Sequence, residues 1–176
     1  MDAFENIVAL LLEEKGFWVR QSVKVDITKQ DKRDIGLPSM PRPEIDLVAL
    51  NVKENFLLLI EVKSFLDSPG VRFSGISQKS RRYRLLTDET FQEIVTERLR
   101  EGYLAKGLIN EKTRLKYALA AGKIYPNEEN QVREFCMKKG WMLISPDDIK
   151  TTIRELAEKG WEDNVVTIAA KLILRK

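Results

Sequence analysis

RPEIDLVALNVKENFLLLIEVKSF, residues 42–65, holds two apolar runs, each marked by acidic residues, and the second closes on Glu61-Val62-Lys63. EIDLVAL and NFLLLIEVK are almost continuously apolar, the pattern of strands covered on both faces. The short NVKE between them predicts an antiparallel hairpin. Residues two apart on a strand share a side, so Glu61 and Lys63 face one way, and Glu44 and Asp46 pair in the same manner on the neighbouring strand. A charge buried without a partner is costly. These groups are therefore either strand-end charges closing a salt bridge or the parts of a site.

Working outward, DAFENIVALLLEEKG spaces Phe4, Ile7, Val8, Leu11 and Leu12 as one helical face, with Gly16 as its cap. FWVRQSVKVDI alternates apolar and polar residues, as a half-exposed strand does. Residues 29–43 mix charge with one glycine and three prolines and read as a loop, a candidate flap. Residues 64–77 read as irregular around an SPG turn, and residues 78–108 as mainly helical and rich in arginine. LKYALAAGKIY, 115–125, reads as a strand ending at Pro126, although its alanines also suit a helix. NEENQVREFCMKKG is a helix to Gly140, and WMLI a short strand. Ser145-Pro146-Asp147-Asp148 combines an N-cap serine, an N1 proline and first-turn acids, starting a helix to Gly160. The apolar helix at 163–174 is expected either to complete the core or to form a homodimer interface. Trp18, Trp141 and Trp161, close to glycines at element boundaries, are expected as core anchors.

The resulting order is that of an α/β sandwich around a mixed sheet. A single domain is expected over 1–176, with its core in about 1–145 and a helical extension over about 146–176. Hydrophobic residues at 43%, charged residues at 32% and a net charge of +3 describe an ordinary globular chain whose bulk charge decides nothing about partners. The single cysteine, Cys136, excludes an internal disulfide and is expected in the core. With no histidine, Ser-His-Asp triads, Cys-His pairs and His-ligated metals are excluded. Any catalysis must use carboxylates, lysine, hydroxyls or a metal on oxygen ligands. The acidic opening (Asp2, Glu5) does not read as a signal peptide, and a cytoplasmic location without membrane association is expected.

Across a hairpin, Asp46, Glu61 and Lys63, with or without Glu44, would gather carboxylates and one ammonium in one patch. Such oxygens suit Mg²⁺, and an adjacent lysine can orient water or stabilise charge at phosphorus. Glu13-Glu14-Lys15 and Asp148-Ile149-Lys150 carry the same spacing but fall on helices, where i and i+2 do not face each other. In QKSRRYRLL, Lys79, Arg81, Arg82 and Arg84 surround Tyr83. The run reads either as a phosphate-contacting segment with Tyr83 stacked on a base, or as a solvated helix face.

A leading helix with an acid near its start, then Pro-Glu-Ile-Asp, then an apolar strand ending Glu-Val-Lys resembles the PD-(D/E)XK nuclease superfamily, which includes restriction-endonuclease-like proteins and archaeal-type Holliday junction resolvases. The motif resemblance covers roughly residues 1–85. It implies a restriction-endonuclease-like α/β/α sandwich and Mg²⁺-dependent hydrolysis of DNA phosphodiesters leaving a 5′-phosphate, with Mn²⁺ able to substitute. By position, Asp46 and Glu61 would hold the metal with the Val62 carbonyl as an extra ligand. Lys63 would assist the attacking water, and Glu5 would be an auxiliary acid. Here the acid directly after Pro43 is Glu44, and the key position is assigned to Asp46. Gln78 is the candidate for a glutamine that many members carry after the Glu-x-Lys strand, but it lies one residue too far from Tyr83 for a Gln-x-x-x-Tyr motif. A DNA-binding module that keeps the fold without cutting is the alternative.

Overall fold

The structure, a computed structural model, describes residues 2–175. Its five-stranded sheet has the order β1-β2-β3-β4-β5, with β1 Trp18–Lys24, β2 Glu44–Asn51, β3 Phe56–Lys63, β4 Arg114–Ala121 and β5 Met142–Ile144. Around it lie helices α1 (Ala3–Glu14), α2 (Lys29–Asp34), α3 (Phe73–Ser77), α4 (Arg84–Thr87), α5 (Glu89–Ala105), α6 (Glu129–Lys139), α7 (Pro146–Glu158) and α8 (Val165–Leu174).

The first three strands are antiparallel, while β4 joins β3, and β5 joins β4, in parallel. The β2–β3 turn closes because Asn51 Oδ1 accepts the Glu54 N–H at 2.9 Å and Asn55 takes the left-handed conformation (φ 50°) that asparagine tolerates. Parallel strands cannot be joined by a tight turn. The long β3–β4 connection therefore carries α3, a 3-10 turn (Arg81–Tyr83), α4 and α5.

Why β3 is apolar on both sides is now visible. Leu58, Ile60 and Val62 pack against Phe4, Val8, Leu11 and Leu12 of α1 and Leu156 of α7. Leu57 and Leu59 point the other way, against Leu85, Phe91, Val95 and Leu99 of α4 and α5. Residues 57–60 are at most 1% exposed, and each such burial contributes about 1.5–3 kcal/mol. Cys136 lies in a third cluster with Leu119 and Ala121 of β4. The fold is α/β, with helices on both faces of a mixed sheet.

Several sequence expectations need correction. Within 29–43, residues 29–34 form α2, because Thr28 and Asp31 make a reciprocal capping box. Asp31 is further tied to Arg98 of α5 at 2.9 and 3.0 Å. Within 64–77, α3 forms, its first free amide held by Glu128 Oε2 through the Phe73 N–H at 2.6 Å. Of the three tryptophans, Trp141 is buried and meets the Phe135 ring edge-on at 5.7 Å. Trp18 and Trp161 are 75% and 91% exposed, since one opens the edge strand β1 and the other lies between α7 and α8. Helix α8 buries Thr167 and Ala170 and leaves Val165, Leu172 and Ile173 in the open. Among the described residues, no helix is long and apolar enough to cross a membrane.

Candidate active site

At Asp46 the sheet loses its regularity on both sides. The β2–β3 ladder runs from Asn51 opposite Phe56 to Leu47 opposite Ile60, and stops there. The β1–β2 ladder skips the position of Asp46, where the facing Ser22 has a φ of 49°. In the fork so opened, the Val62 N–H donates to Asp46 Oδ2 at 2.7 Å. A side-chain carboxylate thus stands in for the next carbonyl of the ladder, which fixes its position without a second charge. The Val62 carbonyl leaves the strand on the same edge as its N–H, toward Asp46.

Glu61 and Lys63 project from β3 on one face, as their spacing requires. Lys63 Nζ donates to Glu61 Oε1 and lies 3.9 Å from Asp46 Oδ2. All three side chains are largely buried. Burial raises the Asp46 carboxyl above its ordinary range, with the charges of Glu44 and Asp2 adding to it while the Val62 amide and Lys63 oppose it. The Glu61 carboxyl is likewise raised by burial, with Lys63 opposing and Asp46 adding. Glu5, on the first turn of α1, is also raised, first by burial and then by Asp46. Asp2 caps α1, accepting the Phe4 N–H at 2.8 Å, and so brings a further acid to this end of the sheet. Carboxylates outnumber the one ammonium, and the field favours an additional cation.

Two neighbours shape this site. Tyr83 is 3% exposed, and its ring centroid lies 6.0 Å from Lys63 Nζ. Burial pushes its phenol up to about 12, helped by Glu61. Tyr83 is therefore part of the wall, not a platform for a base, which corrects the stacking expectation. Gly122, after β4, donates its N–H to the Lys63 carbonyl at 2.8 Å. A Cβ there would collide with the Ser64 carbonyl and stand 2.9 Å from the Phe4 ring.

The basic run divides. Arg81 and Arg82 are exposed. Lys79 is exposed and pairs with Glu89 at 3.3 Å. Arg84 is held by Asp88 at 3.0 Å and lies 4.3 Å over the Phe91 ring, a structural role. Gln78 is the exposed C-cap residue of α3. Glu44 is exposed, and it reaches Asp46 through its charge.

Sequence reasoning did not find Tyr83's wall position, the Ser22 break or Gly122. Gly122 alone carried a signal, since a glycine ending a strand often marks a close backbone approach. Among the described residues, no three His, Cys, Asp or Glu side chains are grouped so as to hold a metal ion by themselves. No protein-family model matches this chain, and neither a curated protein nor a solved structure does.

Proposed function

We propose that this chain is a Mg²⁺-dependent nuclease acting on DNA, with the α/β/α architecture of the restriction-endonuclease-like group. The observation that carries the reading is the convergence of Asp46, Glu61 and Lys63 at the fork between β2 and β3. The donor set fits the metal: Mg²⁺ takes one or two carboxylates, keeps several waters and shares its remaining positions with substrate phosphate. Asp46 and Glu61 would hold it, with the Val62 carbonyl directed to the same fork. A bound Mg²⁺ supplies Lewis acidity toward a phosphate oxygen.

The chain's own groups do the rest. Lys63 Nζ hydrogen-bonds the attacking water and balances charge gathering on the phosphoryl oxygens. Glu5, whose carboxyl burial and the Asp46 charge push above its ordinary range, orients water at the rim. Water oxygen bonds to phosphorus in line as the bond to the 3′ oxygen breaks, leaving a 5′-phosphate and a 3′-hydroxyl. Arg81, Arg82 and Lys79 supply phosphate contacts that bring the backbone to the fork.

Calorimetric titration with Mn²⁺ or Mg²⁺ tests the metal site. Wild type is expected to bind, and Asp46→Asn, which keeps an oxygen for the Val62 amide, to bind at least about 100-fold more weakly with an unchanged circular dichroism spectrum. Equal binding by both proteins removes Asp46 from the site. Absence of binding by wild type reduces the three residues to a strand-end ion pair. Metal binding with tight DNA binding but no cleavage would identify a non-cutting module.

A further inference from the structure

At the other end of β3 from Glu61, but on the same face of the sheet, lies a cavity of about 540 Å³. Its apolar walls include Trp18, Leu50, Leu57 and Leu108, and it sits between the turn end of the β2–β3 hairpin and the end of α5. Register explains how it forms. Trp18 pairs with Leu50 and Arg20 with Val48, so these side chains project together on the face that α5 covers only as far as Tyr103. The volume is that of a small-molecule site.

Two polar features mark this cavity. Tyr103, 7% exposed, lines it, and its buried hydroxyl has no hydrogen-bond partner among the described residues. A buried donor left unsatisfied is uncommon and costly, and it calls for an acceptor. Arg20 lines the same cavity, and its charge and the approach of its guanidinium, which falls short of hydrogen-bond geometry, oppose the upward push of burial on the Tyr103 phenol. Since a guanidinium can only donate, the Tyr103 O–H still lacks an acceptor. An adjoining recess of about 250 Å³ shares Arg20 and Tyr103 and adds Lys24, Lys106 and Gln21. Gln21 Oε1 is also without a partner among the described residues. The acid and the arginine of that recess that are engaged elsewhere are Asp26, paired with Arg42 at 3.0 Å, and Arg98, paired with Asp31 at 2.9 Å. That leaves Arg20, Lys24 and Lys106 to set the sign of the recess, while Glu13 is the single acid lining the larger cavity.

We infer that this cavity binds a small apolar carboxylate, its hydrocarbon body against Trp18, Leu57 and Leu108 and its head group on the Arg20 guanidinium and the Tyr103 hydroxyl. The carboxylate supplies the acceptor that Tyr103 lacks and a charge-assisted partner for Arg20. The site is independent of the nuclease reading, because it uses none of Asp46, Glu61 or Lys63.

Decanoate and decanol, titrated calorimetrically into the full chain below their aggregation concentrations, test it. Decanoate is expected to bind one per chain and decanol about tenfold or more weaker, the scale of a charge-assisted pair. Arg20→Met and Tyr103→Phe, which preserve side-chain bulk, should each bring decanoate down toward decanol and leave decanol unchanged. Leu108→Trp, which fills the cavity, should abolish both. Equal affinity for the two ligands, indifference to Arg20→Met, retention of binding in Leu108→Trp, or no binding by wild type would each overturn the inference.

Discussion

Asp46 is held chiefly by the Val62 backbone amide at 2.7 Å, with Lys63 Nζ in a longer ion pair at 3.9 Å, so the sheet more than the lysine fixes where its carboxylate stands. The pH dependence of stability follows from that. Burial raises the folded-state pKa of Asp46 and Glu61 above their ordinary 3.8 and 4.5. A carboxyl raised on folding binds its proton more tightly in the native state. Its contribution to stability is full below the unfolded pKa and is lost as pH rises through the folded one. Asp31 and Asp148 are lowered on folding, the first by Arg98 and the second chiefly by Ser145 against an opposing burial effect, and they act in the opposite sense. The comparison that isolates the site is therefore wild type against Asp46→Asn. In metal-free urea unfolding, the variant should gain stability relative to wild type as pH rises from about 4 through neutrality. Mg²⁺ should narrow that gap by stabilising wild type alone. A difference that does not change with pH would mean that Asp46 is ordinary.

At the scale of elements, the site depends on how closely β3, β4 and the start of α1 approach one another. Gly122 makes that approach possible: its amide holds the Lys63 carbonyl, and the Phe4 ring lies where a side chain would begin. Gly122→Ala should cost about 1–3 kcal/mol in urea unfolding, the usual range for overpacking. Because the displaced groups carry Lys63 and Glu5, it should also weaken Mn²⁺ binding. A variant as stable as wild type would show that the strand ends are loosely coupled.

Legibility in the sequence also divides by element. The hairpin was readable because β2 and β3 are apolar on both faces and end in charge, and α7 because Ser145-Pro146-Asp147-Asp148 carries its own start signal. Helix α2 was not read, although Thr28 and Asp31 stand at capping-box spacing, because three nearby prolines dominated the window. Residues 78–88 gave their charge but not their orientation. They form a 3-10 turn running into α4, so helical periodicity could not show that Tyr83 turns inward. The spacing of Asp46, Glu61 and Lys63 was readable. The interruptions on either side of Asp46 were not, because they belong to its pairing with two other strands, β1 at Ser22 and β3 beyond Ile60.

For the whole molecule, charge and apolar surface lie in different places. Arg81 and Arg82 are exposed in the segment that contains Tyr83, while Val165, Leu172 and Ile173 of α8 form an open apolar face on the layer shared with α7. We propose that α8 pairs two copies of the chain, which would supply one site for each strand of a duplex. Sedimentation equilibrium should then find a dimer for wild type and a monomer for Leu172→Glu. A monomeric wild type would contradict the pairing without touching the chemistry.

That chemistry is tested by incubating end-labelled duplex, single-stranded, flap and four-way-junction DNA with Mg²⁺ and either wild type or Lys63→Ala. The predicted result is cleavage of at least one of these substrates by wild type, leaving a 5′-phosphate, with Lys63→Ala slower by about 100-fold or more. Failure of folded, metal-loaded wild type to cut any of them, or equal rates from both proteins, would contradict the assignment of Asp46, Glu61 and Lys63 as a nuclease centre.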